Sequence, residues 1–517
     1  MSSKLIFFIR KDYEPVIREE VFDSAIENIE FSDEKVPGWG EQRKIEITFS
    51  EDLTSIGSEA IRLSKNGELD LSQLIIILRL PNPVKSFKGD SFKVYSLETS
   101  LYNDQGEIII DGVLIRKKAE RDAKQLLITE GIVEIAADFQ LEKLYMNDVK
   151  KISLPSTLKR VGKKAFNGAR SLTSVKFPKA LEEIGEYAFS GCAISTLTIP
   201  DSVKAIRKGA FSNCSNLKKI KIGKGTEIIE DGAFAFTSSL EKIEGKFAEC
   251  ENKLLIVNGC LNCVTVGLEG DIKLPDNIER IAPGAFTREN NIRFLILPSG
   301  IKVLETRSLE YCHLEKLIIP ESVEKIEEGF REGAYIQSFE GKFVSSYFVI
   351  DGNILLAAAN TDPEKEIKIP ENITVIGRSF LGGGRYGINA YINGLVFPSA
   401  LTKIGAKAFE GAGNIKLSAL PENLEEIDFK AFSYTKNDIF ENGLFIIPSN
   451  VNRIGLNAFS SPYGVHQRDI WMLPVNPPEF DEKETLRDIT LFVEENSVPK
   501  YKEALPNLTG KIEIWEK

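Results

Sequence analysis

The side chains that could do chemistry are few. The 517 residues hold two histidines, His313 and His466, and six cysteines. A Ser–His–Asp or Cys–His catalyst needs an imidazole beside its nucleophile. Cys312 does precede His313, but neighbours on an extended segment point to opposite faces. The pair is therefore expected to be a buried thiol beside a surface imidazole. Cys260-Leu-Asn-Cys263 has metal-ligand spacing, yet no second Cys or His pair lies near it in the sequence. Leu381-Gly-Gly-Gly384-Arg-Tyr-Gly387 is glycine-rich but opens no helix, which a phosphate cradle requires; a flexible loop is expected. Acidic pairs such as Glu182-Glu183, Glu327-Glu328 and Glu425-Glu426 are expected to be solvated faces. No catalytic residues, metal site or cofactor are expected, and the chain is expected not to be an enzyme.

The elements that would position any site come from a repeated phrase. Leu181-Glu-Glu-Ile184-Gly185-Glu-Tyr-Ala188-Phe189 recurs as Leu401-Thr-Lys-Ile404-Gly405-Ala-Lys-Ala408-Phe409 and as Val451-Asn-Arg-Ile454-Gly455-Leu-Asn-Ala458-Phe459. Pro178, Pro398 and Pro448 each stand three residues ahead. A fixed period of about 20–50 residues signals a solenoid. The closing residue falls at Phe166, Phe189, Phe211 and Phe234, then at Phe286, Leu309, Phe330, Phe380, Phe409, Phe432 and Phe459. Weaker copies close at Ile61, Phe92 and Phe139. Before each proline, apolar and polar residues alternate, as in Val175-Lys-Phe177, which predicts a short strand with one buried face. Leu181, Ile184, Ala188 and Phe189 should turn inward, and Gly185 should permit a sharp backbone turn. Stacked repeats then form a parallel sheet on one side and a phenylalanine spine on the other.

Two closing-residue intervals are long, from Phe234 to Phe286 and from Phe330 to Phe380. They hold Asn258-Gly259 and Asp351-Gly352 between apolar runs, and Asp111-Gly112 is a third copy. Such dipeptides favour tight hairpins because both central residues need positive φ. The expected organisation is an N-terminal cap over residues 1–44, about fourteen repeats over residues 45–475, and a C-terminal cap over residues 476–517. Hairpin inserts are expected near residues 104–116, 253–266 and 345–358. The first cap should hold a strand at Leu5 to Ile9, then an acidic helix-compatible stretch to about Ile29. The second should hold strands and a short helix.

Net charge is −11 and pI near 5.2, which argues against nucleic acid and against an anionic membrane surface. No apolar run reaches the ~18 residues of a membrane span. The N-terminal apolar run is shorter than the ~7–15 residues of a signal-peptide core. With Met1 as the start, the cytoplasm is the expected compartment. Cys192, Cys214 and Cys312 each follow a closing residue by three, a fixed position expected to act as a small buried hydrophobe.

These residues resemble the BspA-like, or Treponema pallidum type, bacterial leucine-rich repeats. Leu172 to Phe189 and Ile194 to Cys214 match that pattern nearly position by position, and Leu491-Phe-Val-Glu-Glu-Asn-Ser497-Val-Pro-Lys-Tyr501-Lys resembles an ending found among its members. The resemblance implies a mostly-β, α/β-type, right-handed solenoid with its parallel sheet on the concave face, interrupted by β-hairpin inserts. It also implies a secreted or surface-attached protein if a segment precedes Met1, and a partner that is a protein or cell-surface macromolecule. A non-enzymatic protein-binding scaffold, foremost an adhesin, is the expected function. An intracellular assembly scaffold and an enzyme with its site on an insert are the alternatives.

Two residues before the proline, the side chain should face outward on the concave sheet. In the first half this position holds Ser153, Lys176, Thr198 and Lys221; in the second it holds Ile296, Ile318, Val396, Ile446 and Met472, interrupted by Lys368. An exposed apolar stripe suits a partner. Covering loops, or β-propensity alone, would produce the same composition.

Overall fold

The structure is a computed structural model. It describes residues 4–22, 24–36, 40–51, 53, 55–56, 60–65, 68–69, 75–79, 86–87, 94–98, 101–110, 112–118, 124–142 and 148–251. It continues with residues 253–286, 291–359, 366–381, 394–412, 415–435, 439–440, 444–460, 468–481, 489–505 and 511–515. His466, Phe92, Asp111 and residues 382–387 of the glycine-rich segment lie outside this set.

Among the described residues only Val498–Ala504 is α-helical, two 3-10 turns lie at Glu19–Val21 and Glu495–Ser497, and the rest of the regular structure is strand. Parallel ladders make the molecule a mostly-β solenoid of about 15 turns. The chain divides into two compact units, residues 1–252 and 253–517.

The first unit opens with a five-stranded sheet in the order Val94–Glu98, Ile75–Arg79, Lys4–Ile9, Gly40–Phe49, Ile26–Val36. The strand at Leu5 to Ile9 is as expected. The helix-compatible stretch after it holds a single 3-10 turn, Glu19–Val21, and is otherwise extended or irregular among the described residues. Glu14–Ile17 pairs antiparallel with Ile61–Lys65, and Ile26–Val36 pairs antiparallel along Gly40–Phe49. Ile45, Ile47 and Phe49 bury one face of Gly40–Phe49, and a neighbour that completes its hydrogen bonds outweighs weak helix propensity. Ile61 accordingly sits in an antiparallel pair rather than at a repeat turn.

Beyond it each repeat supplies two short strands. Gln125–Leu127, Lys151–Ser153 and Ser174–Val175 form one parallel ladder, and Thr196–Thr198, Lys219–Ile222 and Lys242–Gly245 another. These are the pre-proline strands. The two-residue strands Arg160–Val161, Glu183–Ile184, Ala205–Ile206 and Ile228–Ile229 form a second parallel sheet. Their second residue, such as Ile184, is buried. Gly185 is needed here for close approach, not for a turn: a Cβ on it would lie 2.6 Å from the Val161 carbonyl oxygen. The left-handed residue comes two positions later, at Tyr187 (φ 53°).

The phenylalanine spine is a stack of rings. Phe189 and Phe211 lie 5.6 Å apart with planes at 7°, Phe211 and Phe234 5.5 Å apart at 6°, and Phe409 and Phe432 5.2 Å apart at 6°. Two assignments shift by one residue. The Phe189 N–H donates to the Ala210 carbonyl, just before the next spine ring; the Leu309 N–H donates instead to Phe330, and the Leu381 N–H to Ala408. Phe330 and Phe380 therefore occupy the small-residue position, and Arg331 and Leu381 take the spine position. A search for the closing aromatic finds the phenylalanine and misses the frame.

All three hairpins form, as Glu107–Ile110 with Val113–Lys118, Leu254–Val257 with Cys260–Val264, and Phe348–Asp351 with Ile354–Ala358. Asn258 and Gly259 both have positive φ (50° and 75°). In the third hairpin Asp351 pairs with Ile354, so the turn is Gly352-Asn353 with Gly352 at 62°, the II′ arrangement with glycine first. Each second strand then joins a parallel ladder, with Leu114 beside Ile135, Leu261 beside Ile281 and Leu355 beside Ile376. Each hairpin thus supplies a rung of the array.

Candidate binding surface

In the second unit the pre-proline strands place one row of side chains across neighbouring repeats. Lys273, Ile296, Ile318 and Glu340 are successive cross-strand neighbours. Ile296 and Ile318 are half-buried on the outer face, while Leu295 and Leu317 point into the core. Phe294 shares that face two residues before Ile296. Its ring has the Arg293 guanidinium 4.7 Å away and the Lys316 ammonium 5.4 Å away. Lys273 and Glu340 bound this patch with charge. Val396, half-buried, stands beside Lys368 in a separate ladder.

Near the C-terminus the row is Ile446, Trp471, Phe492 and Glu513. Ile446, Trp471 and Phe492 are all half-buried. The Trp471 and Phe492 rings stack 4.8 Å apart at 11°, the spacing of adjacent parallel strands. Met472, expected on this face, is only 2% exposed and points into the core opposite Ile447. One extra residue, Leu473, separates this strand from Pro474, so counting back from the proline lands one position late. Tyr501 in the helix donates its hydroxyl to the Pro474 carbonyl at 2.9 Å and fixes that offset.

Trp471, Phe492 and Phe294 were not legible as surface residues from the proline count. The usable signal is alternation: Ile470, Met472, Leu491 and Val493 are buried on either side of Trp471 and Phe492. The segment after residue 476 also extends this sheet, because Ile489–Val493 and Lys511–Ile514 pair in parallel with it.

The residues considered for chemistry are dispersed. Cys312 is buried, with its thiol pushed up to about 12 by desolvation. His313 is exposed beside Tyr335, ring centroids 6.1 Å apart. Cys260 and Cys263 are buried in one hairpin strand. Among the described residues no group of three or more His, Cys, Asp or Glu is placed to hold a metal, and no helix is long and apolar enough to cross a membrane. Cys192 donates its thiol to the Phe166 carbonyl at 3.5 Å, and Cys214 to Phe189 at 3.3 Å. The repeat thiol thus caps the previous rung's backbone.

No curated protein matches the chain. Solved structures similar to it include a leucine-rich repeat protein from Bacteroides ovatus (18% identity, 96% of this chain and 100% of that one, TM-score 0.30). Another is from Eubacterium ventriosum (16% identity, 69% and 94%, TM-score 0.39). A third is a leucine-rich cell surface protein from Faecalibacterium prausnitzii (19% identity, 62% and 95%, TM-score 0.34). The model of the BspA-type leucine-rich repeat region matches six copies over residues 142–252, 268–382 and 386–470. The repeat phrase and its two-ladder rung recur across more than half of the sequence, and the chain belongs to the BspA-type leucine-rich-repeat family.

Proposed function

We propose that this protein is a non-enzymatic scaffold that binds a protein partner on the outer face of the pre-proline sheet in residues 253–517. The observation that supports it is the Ile446–Trp471–Phe492 row. Aromatic side chains half-exposed on rigid strands are the residues that dominate protein interfaces. Their order is already fixed by packing, so little entropy is lost on association. Ile296, Ile318 and Phe294 form a second patch of the same kind, and Val396 a smaller one. An adhesin displayed on a bacterial surface is the finer version of this reading and follows from the family resemblance.

The test is affinity capture with the full chain and two variants, Trp471→Lys/Phe492→Lys and Ile296→Lys/Ile318→Lys. Each substitution sits on an outward position, so both variants should fold. Loss of the same captured protein with the first variant supports the proposal. Equal capture by wild type and both variants sinks it and points to the hairpin turns at Asn258-Gly259 and Gly352-Asn353.

A further inference from the structure

The pre-proline sheet of the first unit has the opposite character. Its outer face carries two rows of equivalent positions over six strands, which form two successive three-stranded ladders. One row is Gln125, Lys151, Ser174, Thr196, Lys219 and Lys242. The other contains Leu127, Ser153, Thr198, Lys221 and Glu244, with Lys176, just past the strand Ser174–Val175, at the equivalent place two residues before Pro178. The inward residues between the rows, such as Ile152, Leu197, Ile220 and Ile243, are buried, so the lysines and hydroxyls share the solvent face. Five ammonium groups therefore meet one carboxylate, in a chain whose net charge is −11. Glu244 is held by Lys219 at 2.9 Å and Lys242 at 2.8 Å. Lys151, Lys176 and Lys221 are exposed and make no ion pair among the described residues.

We infer that this face binds a linear acidic polysaccharide, carboxylated or sulfated. The face is complementary to negative charge, and parallel strands repeat it at about 4.8 Å per rung. Ser153, Ser174, Thr196 and Thr198 supply hydrogen-bond partners between the ammonium groups, as a hydroxyl-rich polymer needs. A protein partner fits poorly. Protein interfaces are depleted in Lys and Ser and are anchored by aromatic residues, and the sole large apolar side chain on these rows is Leu127 at the end strand. A nucleic acid fits poorly as well, because the rows hold no aromatic ring on which a base could stack. The inference is independent of the protein-binding surface, which lies in the other unit.

The experiment titrates the full chain with polygalacturonate, dextran sulfate, neutral dextran and polyglutamate by calorimetry. The variants are Lys151→Glu/Lys176→Glu/Lys221→Glu and a control of equal charge change, Lys302→Glu/Lys325→Glu/Lys502→Glu. Wild type should bind at least one acidic polysaccharide and not neutral dextran. Which of the two it binds identifies carboxylate or sulfate. Affinity should fall on the order of tenfold or more between about 50 and about 200 mM salt. The face variant should lose at least about tenfold, while the control should stay within about twofold, as expected for exposed charges that are not part of the face. Absence of binding to both polysaccharides overturns the inference. So does equal loss in both variants, which would mean net charge alone. Polyglutamate binding as tightly as the polysaccharides would assign the face to acidic protein instead.

Discussion

Arg331 donates through Nη2 to the Phe380 carbonyl at 2.6 Å from a place that phenylalanine fills in most other repeats. A second donation goes to Ala334 at 3.4 Å, and the guanidinium lies 5.8 Å from the Phe339 ring centre. Burial pushes its pKa down to about 10, so it stays charged at neutral pH. Arg331→Ala removes both donations and leaves a cavity. It should cost at least about 2–4 kcal/mol, and Arg331→Leu, which fills part of the space, should recover some of it. Urea unfolding curves for the two variants check the order. If Ala and Leu are equally harmless, Arg331 is not in the spine.

The spine itself should carry stability. Phe211 is buried and stacks on Phe189 and Phe234. Phe211→Ala should cost ~3–5 kcal/mol from lost transfer energy plus the cavity. A variant that melts with the parent would show that the stack contributes little.

The repeat phrase made the parallel array legible, because period and buried-residue type are set by local packing. Frame was harder. Met472 and Phe330 were misplaced by one residue each, since one residue before a proline or one phenylalanine in the small-residue position changes which side faces inward without changing composition. Residues 10–29 read as helix-compatible because the strands that pair with their extended parts, Ile61–Lys65 and Gly40–Phe49, lie outside the segment. The candidate face is only partly legible: the proline count reaches Ile296, Ile318, Val396 and Ile446, but Trp471 and Phe492 depend on cross-strand pairing that no single segment reveals.

Thiol reactivity should follow burial. Cys250 is the exposed one of the six, and the other five are buried. A maleimide should label one thiol per native chain and all six in denaturant. Burial and the neighbouring Glu249 and Glu251 raise the Cys250 pKa, so its labelling should accelerate as pH rises. Rapid native labelling of Cys192 or Cys214 would contradict the capping role of those thiols.

Acid should weaken the first unit through Glu107. Burial pulls its pKa upward, but the Lys117 ammonium at 2.7 Å and the Thr129 N–H at 3.2 Å outweigh that, and the net shift is downward from 4.5. A carboxylate with a depressed folded-state pKa contributes stability above its unfolded pKa and loses it as pH falls through the folded value. Stability measured from about pH 5 to about pH 3 should therefore drop more steeply in wild type than in Glu107→Gln. Parallel slopes would remove Glu107 from the account.

The central claim is that the Ile446–Trp471–Phe492 row is covered by a protein partner. Hydroxyl-radical footprinting of the full chain, free and bound to the protein it captures, measures that cover residue by residue. Oxidation of Trp471 and Phe492 should fall severalfold in the complex, while exposed Leu127 in the first unit stays as reactive as in the free chain. Unchanged oxidation of Trp471 and Phe492 in a saturated complex would contradict it.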